Sequence, residues 1–185
     1  MKAHIVYVWF LLLATAACVQ KVNGQRGKTP LMTAVSDNNV DLVKSLLDSG
    51  ADPKATNTVG YTALMIAVYF RKNDKIVKLL IPKSDVKAAS NESGFTALMM
   101  AAMTSGNEKV VKLLIPKSDV KAASNSGFTA LMLAVANGGM DGNEKVVKLL
   151  LPMSDVTAIN KWGKTALDYA KVHGNNQIVS LLQQY

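Results

Sequence analysis

The chain has 185 residues, 49% of them hydrophobic, and a formal net charge of +8. Its single cysteine excludes an intramolecular disulfide. Two histidines, one of them at position 4, leave too little for a metal centre built on spaced ligands. In chain order, Lys2 and His4 precede an uninterrupted apolar run from Ile5 to Leu13, followed by the small residues Ala14, Thr15, Ala16 and Ala17. A basic start, a short apolar stretch and a small-residue exit make residues 1–17 a secretory signal, too short for a comfortable membrane span.

Cys18 follows at once. The segment Leu13-Ala14-Thr15-Ala16-Ala17-Cys18 resembles a bacterial lipobox. That resemblance implies an acylated Cys18 as the mature N-terminus, ordinary cleavage near Ala16 or Ala17 being the alternative. Val19, where an aspartate would favour the inner membrane, then directs the protein to the outer one. The expectation is an exported protein of the bacterial periplasm, anchored to the outer membrane through Cys18, with a soluble periplasmic or secreted protein as the alternative. Residues 18–26 form a tether, and anchoring draws on about 0.8 kcal/mol per buried methylene.

From residue 27 the chain repeats itself. Gly27-Lys-Thr-Pro-Leu-Met-Thr-Ala, Gly60-Tyr-Thr-Ala-Leu-Met-Ile-Ala, Gly94-Phe-Thr-Ala-Leu-Met-Met-Ala, Gly127-Phe-Thr-Ala-Leu-Met-Leu-Ala and Gly163-Lys-Thr-Ala-Leu-Asp-Tyr-Ala begin at intervals of 33, 34, 33 and 36 residues. Thr29, Thr62, Thr96, Thr129 and Thr165 stand where a hydroxyl caps a helix. Leu31, Leu64, Leu98, Leu131 and Leu167, with the alanines three residues on, supply its buried stripe. An apolar second helix follows in each repeat, as in Lys109-Val-Val-Lys-Leu-Leu. No repeat buries such a face alone, so the units must stack.

The pattern resembles the ankyrin repeat over residues 27–185. The resemblance implies an all-α solenoid of five helix-turn-helix repeats with short β-hairpin loops, near 27–56, 57–90, 91–124, 125–159 and 160–185. It departs from the family at Met32, Met65, Met99, Met132 and Asp168, where the usual histidine and its imidazole bridge between loops are lost. Proline survives in the helix-starting slot only as Pro30. The family's glycine exit from the second helix survives as Ser49-Gly50-Ala51-Asp52. Later repeats read Pro82-Lys83-Ser84-Asp85, Pro116-Lys117-Ser118-Asp119 and Pro152-Met153-Ser154-Asp155. A left-handed Lys83, Lys117 or Met153 costs about 1 kcal/mol or more, so the second helix is expected to stop by Ile81, Ile115 and Leu151, just before each proline.

Chemistry-bearing residues are sparse, and the expectation is a non-enzyme with no cofactor and no metal. His173 is a lone turn histidine, and the recurring Ser-Asp pairs read as turns in which aspartate caps backbone amides. The methionines occupy a core-proximal slot, where thioethers are flexible fillers. No nucleic-acid motif is present. Lysines recur along the second helices and their exit turns; Asp74 to Lys78, Glu108 to Lys112 and Glu144 to Lys148 are spaced for helical ion pairs.

Eight aromatics follow the signal, and six fall in slots that resemble the family's partner-facing set. Tyr61, Phe95 and Phe128 follow the hairpin glycine, Tyr69 and Phe70 end the first helix of repeat two, and Trp162 tips the last hairpin. With Met103 and the flanking Lys28 and Lys164 they are expected to project into a concave groove as binding anchors. The competing reading has Tyr61, Phe95 and Phe128 stacking on each other to stiffen the hairpin row. Repeat four carries a three-residue insertion between Ala136 and Asn143, tolerated at well under about 1 kcal/mol. The leading function is a monomeric adaptor or inhibitor holding a protein partner in that groove. The alternative is a structural envelope protein lying against anionic lipid or polymer through its basic outer face.

Overall fold

The structure, a computed structural model, describes residues 27–70, 74–104, 108–137 and 143–185. The signal, Cys18, the tether and most of the repeat-four insertion lie outside the described residues. Among the described residues ten α-helices follow in pairs: α1 (Pro30–Ser36), α2 (Val40–Asp48), α3 (Ala63–Tyr69), α4 (Asp74–Leu80), α5 (Ala97–Met103), α6 (Glu108–Leu114), α7 (Ala130–Asn137), α8 (Glu144–Leu150), α9 (Ala166–Val172) and α10 (Asn176–Leu182). The first helix of each pair starts on a threonine. The hydroxyls of Thr29, Thr62, Thr96, Thr129 and Thr165 accept the amide three residues on at 3.2–3.3 Å, each worth about 1 kcal/mol.

These first helices pack in a row, α1 on α3, α3 on α5, α5 on α7 and α7 on α9. The alanine three residues after the stripe leucine of each repeat, Ala34, Ala67, Ala101, Ala134 and Ala170, is fully buried. So small a side chain at the contact lets axes approach toward the short end of the usual ~8–10 Å. Met32, Met65, Met99 and Met132 are each 1% exposed and fill the core of this row. The second helices pack side by side from α2 to α8. They complete the core with Val43 and Leu47, then Ile76, Val77 and Leu80, and the matching Val-Val and Leu of α6 and α8.

Among the described residues the hairpins hold only isolated antiparallel bridges, Thr56 with Thr62, Ala89 with Thr96 and Ala123 with Thr129, and no regular strand. Their stem is polar. Asn57 Oδ1, Ser90 Oγ, Ser124 Oγ and Asn160 Oδ1 accept the amides of Tyr61, Phe95, Phe128 and Lys164 at 2.8–3.1 Å. All four of these side chains are buried, so each hydrogen bond spares a desolvated group.

The second helices end as α-helices at Leu80, Leu114 and Leu150. Lys83, Lys117 and Met153 avoid positive φ, and Asn38, at 58°, is the non-glycine residue that adopts it among those described. The structure differs from expectation in one respect: 3₁₀ turns Ile115–Lys117 and Leu151–Met153 carry their prolines onward. Proline at the second position of such a turn gives up no hydrogen bond, because the first amides of a helix have no intrahelical acceptor. The recurring serines then close the end. Ser118 and Ser154 donate their hydroxyls to the carbonyls of Leu114 and Leu150 at 2.9 and 2.8 Å, whereas Ser84 donates its backbone amide to Leu80 at 2.9 Å.

Two hairpin glycines separate conformational strain from close packing. Gly127 has φ +78°, and a Cβ there would stand 2.8 Å from Asn160 Cα; Gly163 has φ +67° and nothing within 4 Å. Gly163→Ala is expected to cost about 1 kcal/mol from the left-handed backbone alone. Gly127→Ala is expected to cost at least ~2 kcal/mol, because backbone must also move. Urea denaturation of the two variants measures the difference.

Candidate partner-binding surface

The residue after each hairpin glycine forms a column through the stack: Lys28, Tyr61, Phe95, Phe128 and Lys164. Lys28 is half-buried and donates from Nζ to Ser36 Oγ at 3.3 Å. Phe95 and Phe128 are half-buried and rest on the core. Phe128 is bracketed by the next repeat, its ring centroid 5.7 Å from Trp162 and 5.9 Å from Tyr169. Tyr169 is buried, and its hydroxyl oxygen accepts a 2.7 Å bond from Asn160 Nδ2. Trp162 is half-buried with Lys161 Nζ 4.4 Å from its ring centroid. Tyr69 and Phe70, at the end of α3, meet edge to face at 5.4 Å.

Two expected anchors are corrected. Tyr61 is 4% exposed and Met103 3% exposed, and both belong to the hydrophobic core. Met103 faces inward because every residue of α5 is buried; Tyr61 directly precedes the Thr62 cap of α3, a helix buried from Ala63 to Val68. Phe95, Phe128, Trp162, Tyr69, Phe70, Lys28 and Lys164 keep partial exposure. The ring contacts of Phe128 run forward to Trp162 and Tyr169, giving the column a structural role in addition to any recognition role.

The remaining sequence signals fall into place as turns and caps. Asp85, Asp119 and Asp155 accept the amides of Lys87, Lys121 and Thr157 at 2.9–3.0 Å. The Thr157 hydroxyl holds the Asp155 carboxyl below the usual carboxylate range. His173 caps the end of α9. Glu108 pairs with Lys112, which lowers its pKa, and Glu144 pairs with Lys148. Asn143, which the sequence reading passed over, is 1% exposed and donates from Nδ2 to Ala102 O at 2.9 Å and Ala134 O at 3.1 Å. An asparagine before the second helix recurs as Asn39, Asn73, Asn107, Asn143 and Asn175; that period was the available signal. No group of three or more acidic, histidine or cysteine side chains that would hold a metal occurs among the described residues.

A family model described as ankyrin repeats matches residues 7–90, 64–158 and 124–185. The chain is an ankyrin-repeat protein. Ankyrin repeats generally mediate protein–protein interaction and are typically not enzymes. Relatives include the Notch-regulated ankyrin repeat-containing proteins of Xenopus tropicalis and Xenopus laevis, each 43% identical over 61 residues, which cover 32% of this chain and 54% of theirs. Notch-regulated ankyrin repeat-containing protein B of Danio rerio is 41% identical over 61 residues, 55% of its length. The chain thus spans about half the length of the curated relatives it matches.

The last ankyrin repeat carries a local pH dependence. Asp168, in the slot of the family's histidine, accepts the Thr165 amide at 2.8 Å and its hydroxyl at 2.9 Å, closing a capping box that starts α9. The Thr165 amide and hydroxyl hold this carboxyl below its ordinary value. A depressed folded pKa gives stability that is present above the unfolded pKa and lost as pH falls through the folded one. Asp168→Ala is therefore expected to lower stability by about 1 kcal/mol at neutral pH. Its gap to wild type should close as pH drops below about 4, as read from chemical denaturation across the acid range.

Proposed function

We propose that this ankyrin-repeat chain is a non-enzymatic adaptor or inhibitor that holds a protein partner against its hairpin and first-helix surface. The observation that carries the reading is the half-exposed row of Phe95 and Phe128, braced by the core, and Trp162, packed on Phe128, with Lys164 at its edge. Aromatic side chains already held in place bind with little loss of rotamer freedom, and hot spots favour such groups. Tyr69 and Phe70 extend the row at repeat two. Trp162→Ala is expected to weaken partner binding by on the order of 2 kcal/mol with little change in melting temperature. Tyr61→Ala is expected to do the reverse, losing about 3 kcal/mol or more of stability through a core cavity. Affinity capture with wild type and Trp162→Ala, followed by titration of the captured protein, tests the pair; unchanged affinity on loss of Trp162 would place the interface elsewhere.

The reading extends to the cell envelope on sequence pattern alone. Cys18, after Ala16-Ala17 and an apolar run, is the acylated anchor of an exported bacterial protein, held at the outer membrane by its lipid. No helix among the described residues is long and apolar enough to cross a membrane. Mass spectrometry of the mature N-terminus is expected to show an acylated cysteine, and Cys18→Ser to move the protein to the soluble fraction. An unmodified N-terminus at Ala17 or Cys18 would sink the anchor while leaving the binding surface untouched.

A further inference from the structure

The second helices and their exit turns present a surface unlike the aromatic row. Pro82–Asn91 and Pro116–Asn125 are the same ten-residue sequence in consecutive repeats, and each copy exposes two lysines, Lys83 and Lys87 or Lys117 and Lys121. Neighbouring repeats lie within electrostatic reach of each other here. Lys145 Nζ of α8 stands 3.9 Å from Glu108 Oε2 of α6. Asp155, held low chiefly by the Thr157 hydroxyl, also feels Lys121 from the repeat before.

Four carboxylates on this face are engaged locally. Asp85 and Asp119 accept the amides of Lys87 and Lys121 at 3.0 Å, and Glu108 and Glu144 are bound by Lys112 and Lys148. Among the described residues no ion pair engages Lys83, Lys87 or Lys117. The centre of the face, in repeats two and three, lacks the apolar patch of a protein interface; the exposed Met153 and Ile159 lie at its repeat-four edge. Repeats two and three place no aromatic on α4, α6 or their exit turns, and Val86 and Val120 of those turns are buried. A specific protein partner requires an apolar centre inside a polar rim, whereas a planar anionic surface requires only spread positive charge.

We infer that the lysine face of repeats two to four, centred on Lys83, Lys87, Lys117 and Lys121, docks the folded stack against an anionic lipid bilayer. This surface is separate from the aromatic row, and its use does not depend on acylation of Cys18. The test is co-sedimentation of the full chain carrying Cys18→Ser with vesicles of phosphatidylcholine alone or mixed with phosphatidylglycerol. Stronger binding to the mixed vesicles is expected, fading at high salt. Each lysine lost is expected to reduce it about five-fold. Lys83→Glu, Lys87→Glu, Lys117→Glu and Lys121→Glu together should abolish the preference, while Trp162→Ala should leave it intact. The four Lys→Gln substitutions give the same reading should the glutamate variant fail to fold. Equal binding to both vesicles, or a preference that survives the quadruple variants, would overturn the inference. Tight binding to polyglutamate without any preference for phosphatidylglycerol would overturn it in favour of an acidic protein.

Discussion

A backbone hydrogen bond between adjacent hairpins, repeated at three of the four repeat junctions, sets the geometry that everything else uses. Asn91 donates its amide to Val59 O at 3.2 Å, Asn125 to Ser93 O at 3.0 Å and Lys161 to Ser126 O at 3.0 Å. In every case the acceptor is the carbonyl just before a hairpin glycine. One such bond contributes only about 1 kcal/mol net, yet it fixes how far apart two hairpins sit and therefore where the buried alanines of the first helices meet. This chain has methionine or aspartate where its family has histidine, so the linkage rests on these backbone amides and, between repeats three and four, on Asn125 Nδ2, which donates to Glu92 O at 3.0 Å. The methionines standing in the histidine slot make the same region apolar and closely filled.

The architecture was legible because its causes are local and periodic. A threonine cap, an apolar stripe and a second helix with paired branched residues each leave a mark within one repeat, and five copies made the marks hard to misread. The buried state of Tyr61 and Met103 was not legible, because it depends on how successive first helices lie against each other. A slot that faces solvent when its neighbours are polar faces the core when Ile66, Met100 and Leu133 surround the row. The 3₁₀ turns escaped for a subtler reason. Proline forbids continuation of the α-helical ladder but is at home at the start of a tighter turn, and the composition of Ile-Pro-Lys does not say which follows. Asn143 was hidden by its resemblance to an ordinary helix cap; Asn39 and Asn175 do cap their helices, accepting the amides of Leu42 and Ile178 at 3.0 Å.

The aromatic column joins stability to recognition. Phe128 touches the ring of a residue in the next hairpin and of one in the next inner helix, so the same contacts that stiffen the stack hold its exposed edges in one orientation. Substitutions in this column will rarely be clean. The partly exposed Trp162 gives the better separation of effects, since it lies at a hairpin tip, while Tyr61 sits within the core. Lysines close the column at both ends, which confines the apolar stretch to repeats two to four.

Asn143 gives the solenoid a grain. Repeat arrays are held together by nearest-neighbour terms, and a chain drawn out from its two ends sheds such units one after another. The Asn143 amide grips a carbonyl in the inner helix of repeat three and another in that of repeat four at once. Mechanical load reaching this junction has to break a shared, desolvated clasp before either neighbour is released. Repeats three and four are therefore joined at this junction by a buried polar clasp as well as by packing, and they part only when both are lost.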